Sequence, residues 1–292
     1  MVHSAGLLRR GSAAGGLALL RAAALIAFAA LALGAFVPTV QRLVDRMIFQ
    51  PSPGVDVRPE ALGIAAESLY LRTEDGVRIH SFHLPAGGES RAVLFLHGNA
   101  GNASHRLPNA AALSGLGAQV LLLDYRGYGL SEGTPTEDGV YADARAGLAH
   151  LVETRGIPPE RIVVFGRSLG GAVAVDLARD RTLAGVILES TFTSLSEMAR
   201  RVAGPLGRIF VRGGFDSAGK IASVRAPLLF FHGDRDDIVD FRLGQRLFET
   251  APGPKHFETI SGAGHNDTVE VGGREYFARI GRFLDEVAPR GP

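Results

Sequence analysis

The fold of this chain is indicated most clearly by the segment Ile162-Val-Val-Phe-Gly-Arg-Ser-Leu-Gly-Gly-Ala-Val-Ala-Val-Asp-Leu-Ala178. It reads as a short apolar strand, then Gly166-Arg-Ser-Leu-Gly170, then a helix. In a G-x-S-x-G segment a sharp strand-to-helix turn lifts the serine, here Ser168, above the edge of the sheet. Glycines allow so tight a turn because they carry no Cβ. The N–H of Leu169 opens the helix without a helical partner, so a nucleophile and a donor for an oxyanion become neighbours.

A second segment, Gly129-Leu-Ser-Glu-Gly133, matches the same five-residue pattern. Its serine, Ser131, lies in a glycine-dense loop that no strand directly precedes. Gly166, in contrast, follows an apolar strand, and apolar residues recur after it at helical spacing. Ser168 is therefore the candidate nucleophile, and Ser131 is interpreted as a loop residue.

Length and composition limit the class of protein. A chain of 292 residues can form one large α/β domain with a full core. The net charge of +1 without a basic stripe disfavours nucleic acid as a partner. The absence of cysteine excludes disulfides, thiolate metal sites and a cysteine nucleophile. Lysine occurs only at positions 220 and 255 while arginine, alanine and glycine are abundant, which is typical of a GC-rich bacterial genome.

The N-terminus predicts a membrane anchor. Residues 1–21 carry Arg9, Arg10 and Arg21 and no acid, and residues 22–40 follow without a charge. As a helix these nineteen residues span about 28 Å, close to the thickness of a bilayer core. The excess of positive charge before the run favours a cytoplasmic N-terminus and an exported catalytic domain, in a bacterium at the inner membrane.

Two alternatives to an anchor stay open at residues 22–40. Ala30-Leu-Ala32 is a small-x-small site after a short apolar core, so a cleaved signal peptide and a secreted protein are possible outcomes. A buried helix is the third interpretation. Residues 41–61 contain three prolines and are interpreted as a linker, with the soluble domain at 62–288.

The rest of the chain alternates apolar strands and helices. An antiparallel hairpin is predicted from Leu69–Arg72 and Val77–Leu84 around an Asp-Gly turn. Further strands are predicted at Ala92–Leu96, Val120–Leu123, Ile162–Phe165, Ala184–Leu188, Leu228–Phe231 and Phe257–Ile260, and further helices at Glu137–Glu153, Phe241–Ala251 and Arg274–Val287. This rhythm predicts an α/β fold with a mostly parallel, doubly wound sheet and an antiparallel hairpin at one edge.

Acids and a histidine follow the late strands, where a serine would need them. A serine hydroxyl becomes a good nucleophile when a base takes its proton and a third group holds that base. Sites on such sheets lie outside the carboxyl ends of the strands. There the sequence offers Asp234, Asp236 and Asp237 after one strand and His265 after the last. His97 and His232 each precede a glycine at a strand end and are interpreted as braces of their loops.

Taken in order, five motifs resemble those of the α/β-hydrolase superfamily. They are Ala92 to Asn102 with its His-Gly-Asn-Ala-Gly-Asn end, Asp124 to Gly133, Gly166 to Gly170, His232-Gly-Asp-Arg-Asp-Asp237, and Gly264-His-Asn-Asp267. The chain looks most similar to the branch of small, membrane-anchored serine hydrolases that includes eukaryotic protein depalmitoylases. The resemblance covers roughly residues 60–288.

The resemblance implies a catalytic triad in the chain order Ser168, Asp236, His265. The family pattern His-Gly-x-x-Asp falls on Asp236, with Asp237 as the alternative. The second oxyanion donor is expected to be the backbone N–H of Asn99, paired with that of Leu169. Such a mechanism needs neither a metal nor a cofactor.

Residues 190–226 are interpreted as a small lid. Apolar side chains recur there at helical spacing, namely Leu195, Met198, Ala199, Val202, Leu206, Ile209 and Phe210. This face could receive an acyl chain, or it could pack on the sheet. A small lid leaves room for bulky or lipid-bearing substrates.

Three functions follow as hypotheses. The first is a serine hydrolase of esters or thioesters, acting on a small or lipid-like acyl substrate or on an acylated protein. The second is an aminopeptidase or amidase, because the fold does not settle the scissile bond. The third is an anchored binding module without catalysis. Ser168 excludes dehalogenase chemistry, which needs a carboxylate at the elbow.

Overall fold

The computed structural model describes residues 45–46, 48–87, 91–203 and 214–290. The chain divides into two units, Met1–Ile48 and Phe49–Pro292. The predicted anchor at residues 22–40 and the basic segment before it lie outside the described residues, so the anchor stays a prediction. Within the described ranges no helix combines the length and the apolar character that a membrane span requires.

The second unit is built on a large, mostly parallel sheet. Its strands are β2 (Glu67–Arg72), β3 (Arg78–Leu84), β4 (Ala92–Leu96), β6 (Gln119–Leu123), β7 (Ile162–Arg167), β8 (Gly185–Glu189), β9 (Leu228–Gly233) and β10 (Lys255–Ile260), while β1 (Gln50–Pro51) and β5 (Ala100–Gly101) form a separate parallel pair. The order across the large sheet is β10-β9-β8-β7-β4-β6-β3-β2. This is the α/β-hydrolase fold that the sequence predicts.

The predicted hairpin is confirmed at one edge of the sheet. Strands β2 and β3 pair antiparallel, with Leu71 opposite Ile79, and β3 continues antiparallel to β6. All the other neighbours in the large sheet pair in parallel. Every residue of β4, β7, β8 and β9 is buried, as expected for strands covered on both faces. In the core the rings of Phe95 and Phe165 stack at 4.8 Å.

Helices connect the strands in the predicted alternation, with two additions. Besides short 3-10 and π turns, the described α-helices of the second unit are α1 (Leu107–Gly115), α2 (Glu137–Ala149), α3 (Leu169–Ala178), α4 (Leu195–Ala203), α5 (Ser217–Ile221), α6 (Phe241–Thr250) and α7 (Thr268–Val287). Helices α1 and α5 were not predicted. The last helix begins six residues before the predicted Arg274, because helical turns continue past a kink at Gly273, whose φ is 51°.

The compact unit begins at Phe49, earlier than the predicted boundary at residue 62. Phe49 is buried, and the N–H groups of Gln50 and Ser52 donate to the carbonyl oxygens of Asn99 and Gly101 at 3.0 and 2.9 Å. These partners lie in the loop after β4. Part of the stretch interpreted as a linker therefore belongs to the folded unit, because its backbone finds hydrogen-bond partners there.

The predicted lid is described only in part. Helix α4 lies in its first part. Residues 204–213 lie outside the described ranges, and they include three residues of the predicted apolar face, Leu206, Ile209 and Phe210. Two ion pairs, Arg201–Asp240 and Glu197–Arg246, tie α4 to the start and middle of α6. A role as a lid stays a prediction.

Candidate active site

Ser168 occupies the strand-to-helix turn between β7 and α3. Its φ of 54° and ψ of −118° are a backbone conformation that residues other than glycine rarely adopt. A Cβ at Gly166 would lie 2.2 Å from the carbonyl oxygen of Gly170, and one at Gly170 would lie 2.0 Å from that of Leu96. Both positions accept only glycine because backbone approaches so closely. The sequence motif therefore marks a real steric requirement.

A continuous chain of contacts runs from Ser168 to an aspartate. The Oγ of Ser168 lies 3.1 Å from Nε2 of His265, and Nδ1 of His265 lies 2.7 Å from Oδ2 of Asp236. Ser168 and His265 are 8% and 7% exposed, so the pair is screened from water yet borders the surface. With its proton on Nδ1, the imidazole donates to Asp236 and can accept the serine proton at Nε2.

Asp236 is held as a carboxylate. Its Oδ1 accepts from the N–H groups of Ile238 and Val239 at 3.0 and 2.7 Å, and Nε2 of His232 lies 3.2 Å from Oδ2. Burial by itself would raise the pKa of the carboxyl group, but the hydrogen bonds from His232, His265 and the backbone outweigh it and hold the pKa below its usual range. His232 thus braces its loop, as interpreted from the sequence, and also supports Asp236.

Of the three aspartates after β9, the structure brings Asp236 to His265. Asp234 is exposed and accepts hydrogen bonds from Ser261 Oγ and Gly262 N at 3.2 and 2.7 Å, which stabilise the turn after β10. Asp237 is exposed. Spacing alone left Asp237 open as the acid, and the observed contacts favour Asp236.

The two expected oxyanion residues flank Ser168. Leu169 is the first residue of α3, so its N–H lies outside the helical hydrogen-bond pattern. Asn99 lines the same cavity as Ser168. The orientation of the Gly98–Asn99 peptide is fixed, because Nδ1 of His97 lies 2.7 Å from the carbonyl oxygen of Gly98. In a planar trans peptide the N–H of Asn99 points the opposite way, away from His97.

The cavity at the triad measures about 260 Å³. Its walls come from the loop after β4, from Ser168 and His265, and from two arginines, Arg106 and Arg167. No aspartate or glutamate is among the lining residues in the described part of the chain. Nor do the described residues contain a group of three or more His, Asp or Glu side chains placed to hold a metal ion.

A buried ion pair next to the serine was not foreseen. Arg167 lies with Nε 3.2 Å from Oε1 of Glu189, at the end of β8. Glu189 also accepts from the hydroxyls of Thr268 and Tyr276, each at 2.5 Å. Burial, and then the charge of Glu189, raise the pKa of Tyr276 well above its usual value, so this phenol is a neutral donor. Arg167 stands at a variable position of the motif, and its partners are distant in sequence.

The second serine of the G-x-S-x-G pattern has a loop role. Ser131 Oγ accepts from the N–H of His80 at 2.7 Å and donates to the carbonyl oxygen of Asp124 at 2.9 Å. The hydroxyl thus donates one hydrogen bond and accepts another within the turn that it stabilises. The structure places Ser131 as the sequence context indicates.

Comparison with known proteins assigns the family. A family model described as "Serine aminopeptidase, S33" matches residues 88–213. An uncharacterized protein of Mycobacterium tuberculosis is 40% identical over 93% of this chain and 98% of its own length. Alpha/beta hydrolase domain-containing protein WAV2 of Arabidopsis thaliana is 36% identical over 67% of this chain and 71% of its own length. The chain belongs to the α/β-hydrolase family.

Two further comparisons bear on the branch and on the fold. Alpha/beta hydrolase domain-containing protein 17B of Homo sapiens is 35% identical over 65% of this chain and 66% of that protein. The solved structure of Pyrococcus furiosus esterase Pf2001 superposes with a TM-score of 0.70 over 82% of this chain and 98% of that chain. At 24% identity this likeness concerns the fold. The resemblance noted from the five motifs is confirmed.

Proposed function

We propose that the protein is a serine hydrolase that cleaves carboxylic esters or thioesters through an acyl-enzyme on Ser168. The observation that carries the proposal is the chain of contacts Ser168–His265–Asp236, at 3.1 and 2.7 Å, beside an open cavity. A nucleophile, a base and a group that orients the base are the parts that acyl transfer needs.

The first half of the reaction forms the acyl-enzyme. Ser168 Oγ attacks the acyl carbon while Nε2 of His265 takes its proton, and Asp236 stabilises the resulting imidazolium. In this proposal the N–H groups of Leu169 and Asn99 bind the oxyanion of the tetrahedral intermediate. As the intermediate collapses, the bond to the alcohol or thiol breaks, and His265 returns its proton to that leaving group.

The second half releases the acid. A water molecule gives a proton to His265 and attacks the acyl-serine carbonyl. The second tetrahedral intermediate collapses to a carboxylic acid, and Ser168 recovers its proton from His265. Every proton taken is returned, so one ester and one water give one acid and one alcohol or thiol.

An aminopeptidase is the second candidate, because the matching family model carries that description. Recognition of a free amino terminus calls for a carboxylate or comparable acceptors near the nucleophile. Among the described residues that line the cavity, two arginines are present and no acid. This charge distribution supports ester or thioester hydrolysis over cleavage at a free N-terminus.

A substrate panel tests the proposal. We expect hydrolysis of 4-nitrophenyl butyrate and of butyryl thioesters, and rates on amino-acid 4-nitroanilides at least about tenfold lower in kcat/KM. Ser168→Ala should lose on the order of 10⁴-fold or more in kcat. Ser131→Ala, the matched control at the second motif serine, should retain activity per folded molecule. Ester hydrolysis by folded Ser168→Ala at the wild-type rate would refute the assignment, and faster cleavage of the anilides would favour the aminopeptidase.

A further inference from the structure

Arg106 is a half-buried arginine in the wall of the cavity that contains Ser168. It ends the 3-10 helix Ala103–Arg106, directly before α1. Its Nε is buried and finds no hydrogen-bond partner among the described residues, while the side chain as a whole borders the cavity. The charged groups that act on it are Arg167, which repels it, and Glu189, which attracts it. Glu189 is already bound by Arg167, so Arg106 has no carboxylate of its own among the described residues.

Among the described residues the buried arginines are Arg91, Arg126 and Arg167, and each has a carboxylate partner. Arg91 donates to Asp285 at 2.7 Å and to the carbonyl oxygens of Leu116, Gly117 and Ala288. Arg126 binds Asp75 and Asp143. An unpaired buried donor costs free energy that these two arginines avoid. Arg106 therefore has a polar capacity that the described fold does not use.

The backbone at Arg106 is held by contacts that its neighbours make outside the cavity. Asn102 caps the 3-10 helix through the N–H of Ser104, and its side-chain amide donates to Asp56 Oδ2 at 2.9 Å. His105, the neighbour of Arg106, pairs with the same aspartate at 2.9 Å. The turn is thus tied to the segment after β1. The backbone that carries the Arg106 side chain is therefore already ordered before a ligand binds, and this lowers the entropy cost of recognition.

Charge in the cavity favours an anion. Burial first, and then the positive charge of Arg167, lower the pKa of Arg106, and the attraction of Glu189 offsets this only in part. No acid lines the cavity in the described part of the chain, so a negative ligand would meet no repulsion from its walls. A guanidinium binds a carboxylate through two parallel hydrogen bonds, which matches its fork geometry.

We propose that Arg106 binds a carboxylate group of the ester or thioester on which Ser168 acts, so that the substrates of this site are esters or thioesters that carry a free carboxylate. This inference rests on the proposed function. Arg106 is then a specificity-determining residue, and the carboxylate belongs to either the acyl part or the leaving group. A guanidinium would bind the carboxylate in the same way in either position, and matched substrates distinguish the two positions.

Two pairs of esters test the inference. On the acyl side, the 4-nitrophenyl monoester of adipic acid is compared with that of adipic monoamide. On the leaving-group side, 4-carboxyphenyl butyrate is compared with 4-carbamoylphenyl butyrate. Within each pair the two esters are nearly the same size and differ in charge, and comparing the variants with the wild type cancels any difference in intrinsic reactivity. The measured quantity is the ratio of kcat/KM for the acid over its amide, in wild type, Arg106→Gln, Arg106→Lys and the control Arg225→Gln, an exposed arginine before β9.

The wild type should prefer the acid in at least one pair. Loss of a charged hydrogen-bonded contact corresponds to roughly 10- to 100-fold, so Arg106→Gln should lower that ratio by about this factor. Arg106→Lys, which keeps the charge without the fork, should lie in between, and Arg225→Gln should keep the wild-type ratio. A wild type without preference in both pairs, or an unchanged ratio in Arg106→Gln, would overturn the inference.

Binding separates this inference from the proposed function. Ser168→Ala and Ser168→Ala/Arg106→Gln are titrated with the same esters by calorimetry, where no turnover is needed. Tighter binding of an acid than of its amide, lost in the double variant, supports the role of Arg106 even if the wild type hydrolyses neither ester. Equal affinities of the two variants for the acid overturn it even if the wild type is an active esterase.

Discussion

Arg167, the residue directly before Ser168, donates a hydrogen bond from Nη2 to the carbonyl oxygen of His265 at 2.8 Å. The two residues are 98 positions apart in sequence. The motif that presents the nucleophile therefore also fixes the loop that presents the base. Arg167 is 5% exposed and its charge is compensated by Glu189, so the contact is screened from water. The relative placement of serine and histidine thus depends on a buried ionic cluster behind them.

Removing the acid of that cluster should destabilise the fold. Glu189→Gln leaves the charge of Arg167 buried without its counter-ion, and such changes cost about 3–5 kcal/mol. Denaturant unfolding should show this loss. In the double variant Arg167→Met/Glu189→Gln the loss should be smaller than the sum of the two single losses by at least about 1 kcal/mol, because the residues interact directly. Additive losses would contradict the pairing of Arg167 with Glu189.

Substitution of Asp236, the acid that orients His265, should lower activity strongly at neutral pH. Asp236→Asn can still accept from the N–H groups of Ile238 and Val239, but it no longer stabilises an imidazolium at His265. We expect a fall of roughly 10³- to 10⁴-fold in kcat on an ester. The control Asp237→Asn changes an exposed neighbour and should stay within about twofold of wild type. Equal losses in the two variants would argue against Asp236 as the acid.

The stability difference between wild type and Asp236→Asn should depend on pH. The pKa of Asp236 is held below its usual value, so the folded state binds this proton more weakly than the unfolded state. The stabilisation is therefore present above the unfolded pKa of about 3.9, and it is lost as pH falls through the lower folded value. Urea unfolding at pH 7, 4 and 3 should show the difference shrinking below about pH 4. A difference that is constant with pH would contradict an ionised, stabilised Asp236.

The second glycine of the elbow should not tolerate a methyl group. At Gly170→Ala the new Cβ would meet the carbonyl oxygen of Leu96 at 2.0 Å, which forces backbone to move. We expect a loss of at least about 2 kcal/mol in unfolding free energy. The control Gly115→Ala, at the end of α1 with nothing within 4 Å of its Cβ, should be neutral or more stable by up to about 1 kcal/mol. Thermal unfolding of both variants decides whether the elbow is as tight as described.

The sequence predicted the sheet and the serine because both signals are local. The strands are indicated by apolar runs. The turn from Gly166 to Gly170 is indicated by a strand, two glycines and apolar residues at helical spacing within one short segment. The early start of the compact unit was missed because Gln50 pairs with Asn99, and nothing near Gln50 signals a partner so far along the chain. The predicted start of helix α7 lies after its observed start, because Gly272 and Gly273 resemble a helix boundary. The structure has a kink there and not the start of the helix.

The site was harder to predict where contacts are long-range. Asp234 lies too close to the strand end, but spacing alone could not choose between Asp236 and Asp237, and the choice depended on the family pattern. The contacts of Glu189 with Arg167, Thr268 and Tyr276 join β7, β8 and α7, which no short motif records. Arg106 was not predicted as a site residue. It stands out because its Nε lacks a hydrogen-bond partner among the described residues, and no sequence pattern indicates a missing partner.

The most direct test of the central claim is the site of covalent labelling by a fluorophosphonate. Peptide mass mapping of the labelled wild type should place one adduct on Ser168, because the activated hydroxyl attacks phosphorus as it would an acyl carbon. Ser168→Ala should remain unlabelled, while Ser131→Ala should be labelled like the wild type. An adduct on another serine, or equal labelling of Ser168→Ala and wild type, would contradict the assignment of Ser168 as the nucleophile.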